Sequence, residues 1–271
     1  MSPAARPRAP FFSQFGEDEI LERIFERAAP GTCVEVGAHD GVTGSNTYHF
    51  ELLGWHCLLV EPVPALAEAI RRRRRAWVFE CAASSAEGRA TLYVAEGAES
   101  LSTLVPGAAH AEAVRAFGAR MVPIEVATRR LDDLLDEAGV GQLDFVTIDV
   151  EGHELEVLRG FSIERFQPCV VVVEDNSATG DPDLRRHLEE RGYRYFLRSM
   201  VNRWYAREDV LPALPIEALL RIVRRRAREV ALAVRLRPLT RFLPVRLRER
   251  ALGLIRWLLS MARSRERRGD P

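Results

Sequence analysis

Short apolar segments alternate with amphipathic segments along most of the chain. Four continuous apolar runs predict buried β-strands: Thr32–Val36, Cys57–Val60, Leu143–Val150 and Cys169–Val173. Between them, apolar positions repeat at helical spacing, as in Val63–Arg75 and Leu131–Ala138. Strands that are apolar throughout and alternate with helices are typical of a parallel sheet covered on both faces. The pattern therefore predicts an α/β fold with a mostly parallel central sheet.

Weaker patterns extend this prediction toward both ends of the chain. Further strands are expected at Trp77–Cys81, Ala90–Ala95, Val122–Ala127, Tyr193–Leu197 and Arg203–Ala206. Further helices are expected at Gln14–Ala28 with Ser13 as N-cap, Ser45–Leu53, His153–Arg159 and Leu184–Arg191. The patterns predict three regions: a disordered N-terminal segment at residues 1–12, the folded domain at residues 13–210, and an Arg-rich helical extension at residues 211–271.

Charge is distributed unevenly along the chain, although the net charge is zero. Every basic residue is arginine, and residues 211–271 contain 16 arginines against five acidic residues, a net charge of +11. The first 210 residues therefore carry about −11, which argues against nucleic acid as the ligand of the folded domain.

The Arg-rich extension also contains apolar residues at helical spacing. They are Leu219, Ile222, Val223, Ala227, Val230 and Val234, with a second stripe in Ala251–Ala262. A cationic amphipathic helix of this kind lies on an anionic membrane surface, or it packs on the acidic domain or on a second subunit. Both interpretations stay open for residues 215–262.

The expected location is the cytoplasm, or the inner face of the membrane if the extension binds lipid. No apolar run approaches the ~20 residues of a membrane-spanning helix, and the Pro-rich N-terminus does not resemble a signal peptide. The four cysteines form no CxxC or zinc pattern and are expected to be buried, reduced thiols.

The candidate chemistry begins after the first strand, in Val34–Gly41 (VEVGAHDG). Gly37 and Gly41 leave backbone N–H groups open to a ligand, and a following helix N-terminus favours an anion; a tight turn without a ligand is the alternative.

Glu61 ends the second strand, where a carboxylate can accept hydrogen bonds from both hydroxyls of a ribose. A dinucleotide loop reads G-x-G-x-x-G, but His39 stands at its second glycine, so S-adenosylmethionine fits better than NAD.

Ionisable residues accumulate where the fourth strand of the predicted sheet meets its helix. The helix dipole favours an acidic residue at the start of a helix, which explains the presence of Glu154. It does not explain Asp149, which is the last inward position of an apolar strand, where an unpaired carboxylate is costly. Asp149 and Glu174, which follows the next strand, are candidate ligands of Mg²⁺, although we rank the metal below a protein base.

A base is needed if the reaction activates a hydroxyl group. The candidates that accept its proton are His153 and Asp149, with Glu151 or Glu174 as orienting groups and His39 as a second choice. A helix-capping surface residue is the alternative for His153.

Six stretches in the same order resemble the FkbM-type methyltransferases. They are SQFGEDEIL (Ser13–Leu21), VEVGAHDGVTGSNTYHFE (Val34–Glu51), LLVEP (Leu58–Pro62), ECAAS (Glu80–Ser84), DFVTIDVEGHELEVLRG (Asp144–Gly160) and, more loosely, VVVVEDN (Val170–Asn176). The resemblance implies a Rossmann-like class I methyltransferase fold and S-adenosylmethionine as cofactor. Family members mostly O-methylate hydroxyls of sugars or secondary metabolites.

The resemblance also implies roles for individual residues. It implies that Glu35, Gly37, Asp40 and Gly41 line the methionine side of the cofactor, that Glu61 binds the ribose, and that Ala82, Ala83 or Ser84 lies near the adenine. Asn46 and Asp149 are further candidate cofactor-binding residues, and the need for a base makes His153, Asp149 and Glu151 the candidate catalytic residues. The loop Ser100–Thr103 is expected near the acceptor, or it is an ordinary Ser/Thr turn. The sequence thus predicts an O-methyltransferase for a small-molecule or glycan acceptor; a nicotinamide-dependent oxidoreductase and a non-catalytic nucleotide-binding or membrane-recruited module are the alternatives.

Overall fold

The computed structural model describes residues 9–26, 30–177 and 179–240. The chain divides into two units between Ile216 and Glu217, near the boundary expected at Val210, and each unit is described by itself. The expected stripe Ala251–Ala262 lies outside the described residues. None of the helices in the described part is long and apolar enough to cross a membrane.

Helices and strands follow the predicted alternation. In chain order they are α1 (Glu17–Ile24), β1 (Thr32–Val36), α2 (Tyr48–Leu52), β2 (His56–Val60), α3 (Pro64–Arg73), β3 (Trp77–Phe79), β4 (Ala82–Ala83), β5 (Gly88–Glu96), α4 (Ala108–Ala116), β6 (Arg120–Arg129), α5 (Leu131–Glu137), β7 (Phe145–Ile148), α6 (Glu154–Arg159), α7 (Ile163–Phe166), β8 (Val170–Glu174), α8 (Pro182–Glu189), β9 (Tyr193–Ser199), β10 (Asn202–Arg207) and α9 (Ile216–Thr240).

The main sheet has the strand order β3-β2-β1-β7-β8-β10-β9. The first five strands in this order are parallel, and β10 runs antiparallel to both of its neighbours. The strands β2 and β3 lie on one side of β1, and the strands from β7 onward lie on its other side, so the direction in which strands are added reverses at β1. A sheet with this reversal opens a ligand crevice at the carboxyl ends of its strands. The predicted Rossmann-like α/β fold with a mostly parallel central sheet is confirmed.

Both faces of the main sheet are covered. On one face, alternate residues of β1, β7 and β8 pack with α5, α6, α7 and α8 in a buried core that includes Val34, Val146 and Leu158. On the other face, Phe145 of β7 lies 4.9 Å from Phe50 of α2, measured between ring centroids. The residues that alternate with the Val34 set along β1 and β7 therefore face α2.

A second sheet interrupts the alternation after β3. Its strand order is β4-β6-β5, with β5 and β6 antiparallel over their full length. The apolar runs in this region predict strands but not a separate sheet, and they do not predict α4. Leu92 and Val126 of this sheet form a small core with Val63 and Ala82, so the second sheet packs beside the end of β2.

The N-terminal segment corrects the predicted disordered lead. Within residues 9–12, the Phe11 ring stacks on His49 at 4.6 Å and the Phe12 ring tilts against Tyr48 at 4.5 Å. The backbone N–H groups of Phe12 and Ser13 both donate to the buried Asp18 carboxylate. Burial of aromatic surface orders this segment; residues 1–8 lie outside the described residues.

The start of the first helix also differs from the prediction. Gly16 and not Ser13 occupies the N-cap position of α1, although the Ser13 hydroxyl accepts the backbone N–H groups of Gly16 and Asp18 and donates to the Asp18 carboxylate. The helix therefore begins at Glu17 rather than at Gln14.

Candidate active site

A partly open cavity of about 570 Å³ lies at the carboxyl ends of β1, β2 and β7. This volume includes the space where the cavity opens to solvent, and a concave pocket with a few converging polar groups is the usual form of a small-molecule site. The second sheet contributes Leu92 to its wall. The ionisable residues of its lining are His39, Glu61, Glu99, Asp149, Glu151 and His153.

Gly37 begins the loop of residues 37–47 and lies against β7. Its φ is +86°, and a Cβ at this position would lie 1.8 Å from the backbone carbonyl oxygen of Asp149. The N–H groups of Gly37 and Ala38 donate to the carbonyl of Val60 at 3.0 and 3.2 Å. Only glycine fits at position 37. Its contacts place the start of the loop between the ends of β2 and β7, where Gly37 lines the cavity.

Asp40 and Gly41 hold the loop together instead of lining the cavity. A Cβ on Gly41 would lie 2.9 Å from Cγ1 of Ile70, so this glycine allows close packing on α3. The Asp40 carboxylate accepts the backbone N–H groups of Val42 and Thr43 at 2.9 and 2.7 Å. The backbone of Gly41 therefore lies close to the helix α3 and not to the cavity.

Glu35 is buried and is engaged by the same loop. Its carboxylate accepts hydrogen bonds from Ser45 Oγ and the Asn46 N–H, both at 2.7 Å, and from the Thr47 hydroxyl. The next helix begins at Tyr48, three residues after the expected start at Ser45. Glu35 and Asn46 fix the loop from behind, outside the cavity lining.

Arg74 is a loop-organising residue that the sequence did not identify. Its buried guanidinium donates to the Gly41 carbonyl at 2.6 Å, to Glu51 at 3.0 Å and to the Thr47 hydroxyl at 3.2 Å. It belongs to the run Arg71–Arg75, whose members look alike in sequence. Only the fold distinguishes the buried arginine from the exposed ones beside it.

Glu61 combines burial with access to the cavity. Its Oε2 accepts the His39 backbone N–H at 2.8 Å and its Oε1 accepts the Val63 N–H at 2.9 Å. Burial raises the pKa of Glu61 to about 7, although both hydrogen bonds favour the ionised form. Each carboxylate oxygen keeps a second lone pair, so Glu61 can still accept ligand hydroxyls.

Three carboxylates meet at the ends of β7 and β8. Oxygen atoms of Asp149, Glu151 and Glu174 lie within 4.8 Å of one another. Asp149 is exposed to the cavity but closely surrounded by protein; this desolvation and the neighbouring Glu174 raise its pKa well above its usual range, and the same two causes raise the pKa of Glu151 to about 8. Among the described residues, no arginine lines this cavity. A positively charged group placed here would stabilise the ionised carboxylates.

The loop between β7 and α6 is held in one conformation. Glu151 has a φ of +55°, and its backbone carbonyl accepts the buried Thr103 hydroxyl at 2.7 Å. The Glu154 carboxylate accepts the N–H groups of Val150 and Gly152 at 3.2 and 3.0 Å. Glu154 is thus a structural residue at a helix start, and the loop points Glu151 into the cavity.

His110 is a second neighbour of the site that the sequence did not identify. Its Nε2 lies 2.7 Å from the Leu101 carbonyl, and its Nδ1 lies 4.0 Å from Oε2 of Glu151. A carbonyl can only accept, so Nε2 carries the hydrogen. His110 lies on α4, a helix that the apolar pattern does not predict, so no pattern in the sequence marks it as a neighbour of the site. Ser100 and Ser102, in the loop before α4, line the cavity.

His153 stands at the entrance of α6 and reaches the strand β4. Its Nε2 is 3.0 Å from Oγ of Ser84, and burial lowers the pKa of His153, so the ring is neutral at pH 7. Ala82 and Ala83 line the cavity beside it. A Cβ on Gly160 would lie 2.0 Å from the Ser84 carbonyl oxygen, so this glycine lets α6 approach β4.

The predicted site residues thus fall into two groups. The cavity lining brings together Gly37, His39, Glu61, Ala82, Ala83, Ser100, Ser102, Asp149, Glu151 and His153. Glu35, Asp40, Gly41 and Asn46 lie behind the lining and order the loop, and Glu174 reaches the cluster through Asp149.

The chain is similar to known methyltransferases. Residues 35–195 match the model of the methyltransferase FkbM domain. The methyltransferase sdnD of Sordaria araneosa is 30% identical over an alignment of 164 positions, and the match covers 50% of this chain and 63% of that relative. The chain therefore spans less than two thirds of that relative's length.

Two solved structures show a weak overall similarity to the chain. A precorrin-6y C5,15-methyltransferase from Geobacter metallireducens GS-15 has a TM-score of 0.37 and 15% identity, over 70% of this chain and 77% of that one. A TehB-like SAM-dependent methyltransferase from Corynebacterium glutamicum ATCC 13032 Kitasato has a TM-score of 0.39 and 10% identity, over 71% and 87% of the two chains. Overlaps this low carry no weight for function, and the fold rests on the strand order given above.

Proposed function

The chain belongs to the FkbM methyltransferase family and so carries an S-adenosylmethionine-dependent methyltransferase domain; we propose that it methylates a hydroxyl oxygen of a sugar, a glycan or a secondary metabolite. One observation carries this proposal. A single cavity joins the buried Glu61 at the end of β2 to Asp149, Glu151 and His153 after β7. A ribose anchor and a candidate base therefore face the same space.

In this proposal, the cofactor lies across the carboxyl edge of the sheet. Glu61 accepts the ribose hydroxyls, Ala82 and Ala83 contact the adenine, and the methionine part passes Gly37. Glu35, Asp40, Gly41 and Asn46 act indirectly, because their contacts order the loop that the cofactor touches. Asp149 lies next to Gly37 and faces the amino-acid end or the sulfonium.

The proposed reaction is an in-line displacement at the methyl carbon. The acceptor oxygen forms a bond to this carbon as the carbon–sulfur bond breaks, and the electron pair remains on sulfur in the neutral thioether product. The hydroxyl proton passes to His153, whose lowered pKa leaves a neutral ring able to accept it. Ser84 holds the ring in place, while Asp149 and Glu151 orient the acceptor hydroxyl.

A divalent metal ion is the second candidate mechanism. The proximity of Asp149, Glu151 and Glu174 favours it, because three carboxylates within 4.8 Å match the oxygen ligands of Mg²⁺. A metal held there would acidify the acceptor hydroxyl, so that no side chain would need to be a strong base. Sensitivity of turnover to EDTA distinguishes this mechanism from catalysis by His153.

A ligand screen tests the assignment of the cofactor against the other classes. S-adenosylmethionine and its demethylated product are each expected to raise the melting temperature of the full chain, and NAD is not. Stabilisation by NAD alone would support an oxidoreductase. Transfer of a radiolabelled methyl group to a panel of hydroxyl acceptors then separates an enzyme from a binding module. Binding without transfer to the family's acceptor classes would contradict the O-methyltransferase proposal.

We also propose a cytoplasmic location. Cys33 and Cys57 lie side by side on β1 and β2, with their Sγ atoms 3.3 Å apart as free thiols, an arrangement suited to a reducing compartment. Cell fractionation tests this directly, and recovery of the protein from an extracytoplasmic fraction would contradict it.

A further inference from the structure

Four arginines form one exposed line along α9. Arg221, Arg224, Arg228 and Arg235 are all exposed, and their spacings of three, four and seven residues place them on one face of the helix. At 1.5 Å per residue, this arginine stripe extends over about 21 Å. The apolar residues Leu219, Val223 and Val230 lie on a different face of the same helix.

Within the described part of the chain, the arginine stripe differs from most other arginines in its lack of acidic partners. Among the described residues, no carboxylate lies within ion-pair distance of any of its four members. On the same helix, Arg225 and Arg226 both contact Glu229, at 3.7 and 3.4 Å. The exposed arginines Arg72, Arg89, Arg120 and Arg186 of the methyltransferase domain are each paired with a glutamate or an aspartate.

We propose that the arginine stripe binds the surface of an anionic lipid bilayer and so places the enzyme peripherally at a membrane. A straight row of cations on one helix face matches a flat layer of anionic headgroups, and guanidinium groups bind phosphate well. Leu232, whose side chain is 40% exposed, lies beside Arg228 and Arg235 on the helix and can enter the interface.

The composition of α9 favours lipid over nucleic acid. Proteins that bind single strands usually provide aromatic side chains for stacking, and Ile216–Thr240 contains no aromatic residue. The helix instead combines arginines with aliphatic residues, which is the composition of interfacial helices. Binding to duplex DNA or RNA is the competing outcome that the experiment must measure.

Vesicle sedimentation of the full chain tests the proposal. The protein is expected to sediment with vesicles that contain phosphatidylglycerol, to stay in solution with phosphatidylcholine alone, and to be released by high salt. Each arginine near such a surface contributes about fivefold to partitioning. The variant with Arg221, Arg224, Arg228 and Arg235 all changed to Gln is therefore expected to bind at least about a hundredfold more weakly.

A matched variant removes the same charge elsewhere. Changing Arg72, Arg89, Arg120 and Arg186 to Gln alters the net charge by the same amount and is expected to leave most of the vesicle binding intact. Three results would overturn the proposal: no binding of the full chain to anionic vesicles, equal losses in both variants, or tighter binding to duplex nucleic acid than to vesicles at the same salt concentration. Cofactor-induced thermal stabilisation, measured on both variants, keeps this result separate from the methyltransferase proposal.

Discussion

The carboxylate of Glu61 accepts the backbone N–H of His39 at 2.8 Å, and this contact joins the end of β2 to the glycine loop after β1. The same carboxylate lines the cavity. Glu61 can therefore contact a bound cofactor and at the same time hold the glycine loop that surrounds this cofactor.

Replacement of Glu61 is expected to weaken the cofactor complex. Hydrogen bonds from ribose hydroxyls to a carboxylate contribute about 1.5–3 kcal/mol each. Glu61→Ala should therefore weaken S-adenosylmethionine binding at least about tenfold by calorimetry. Glu68→Ala, on the exposed surface of α3, is the control and should bind normally. Unchanged affinity in Glu61→Ala would remove this residue from the cofactor site.

The affinity for S-adenosylmethionine should also depend on pH around neutrality. Burial raises the pKa of Glu61 in the free protein to about 7, whereas hydroxyl groups donate best to the ionised carboxylate. Cofactor binding should therefore release a proton below this pH, so affinity rises toward pH 7 and levels off above it. Calorimetry from about pH 5.5 to 8.5 measures this, and the midpoint near 7 should be absent in Glu61→Ala. A flat profile in the native protein would show that the ionisation of Glu61 does not control binding.

Gly37 and Gly44 offer a matched pair in the cofactor loop. Both have positive φ, at +86° and +79°, but only at Gly37 would a Cβ meet another atom, the Asp149 carbonyl oxygen. Gly44→Ala should cost only the conformational strain, about 1–2 kcal/mol of unfolding free energy. Gly37→Ala should cost more and should abolish cofactor binding, because the loop must leave β7. Similar unfolding curves in urea and similar cofactor affinities for the two variants would contradict this.

The main sheet was predictable because its signals are local. A parallel strand buried on both faces is mostly apolar, so β1, β2, β7 and β8 are visible as short apolar runs, and the topology of α/β folds then brings their carboxyl ends together. The convergence of Glu61 and Asp149 follows from that geometry. The sequence also marks Gly37, since a strand end followed by glycine indicates a tight turn.

Roles that depend on distant partners were not predictable in the same way. Glu35 has the expected position, but its partners come from a turn ten or more residues later, and they use its oxygens for the loop. His110 reaches Glu151 from α4 and Thr103 from the loop before it, where short amphipathic segments give weak periodicity. The order of Phe11 depends on stacking with His49, and no local pattern in the N-terminal residues indicates that contact.

Arg74 should contribute to stability through its shape as well as its charge. Its guanidinium donates from separate nitrogens to the Gly41 carbonyl, Glu51 and the Thr47 hydroxyl, and a lysine ammonium cannot reach all three. Arg74→Lys is expected to lower the unfolding free energy by about 2–3 kcal/mol, because buried partners lose their bonds. Arg72→Lys, whose side chain is 75% exposed in its pair with Glu68, should change it by less than about 0.5 kcal/mol. Equal urea midpoints for the two variants would show that Arg74 does not hold the loop.

The last prediction separates the protein base from the metal. Loss of a general base typically slows turnover by about 10²–10⁴-fold. His153→Ala should therefore lower kcat at least about a hundredfold with the substrate found in the acceptor screen, while cofactor affinity changes little. Asp149→Asn should impair both kcat and cofactor binding, since Asp149 faces the cavity and its backbone touches Gly37. EDTA should have little effect on the native enzyme.

The pattern of rates across the variants and EDTA decides between the mechanisms. Near-normal kcat in His153→Ala, together with loss of activity in EDTA, would assign the reaction to a metal held by Asp149, Glu151 and Glu174. Near-normal kcat without sensitivity to EDTA would leave His39 or a cavity carboxylate as the base. Glu151 is then the better candidate, because its pKa of about 8 lies close to neutral pH and its side chain lines the cavity beside His110. In that case Glu151→Gln should lose about a hundredfold in kcat, and the pH–rate profile should lose the ionisation that belongs to this carboxyl group.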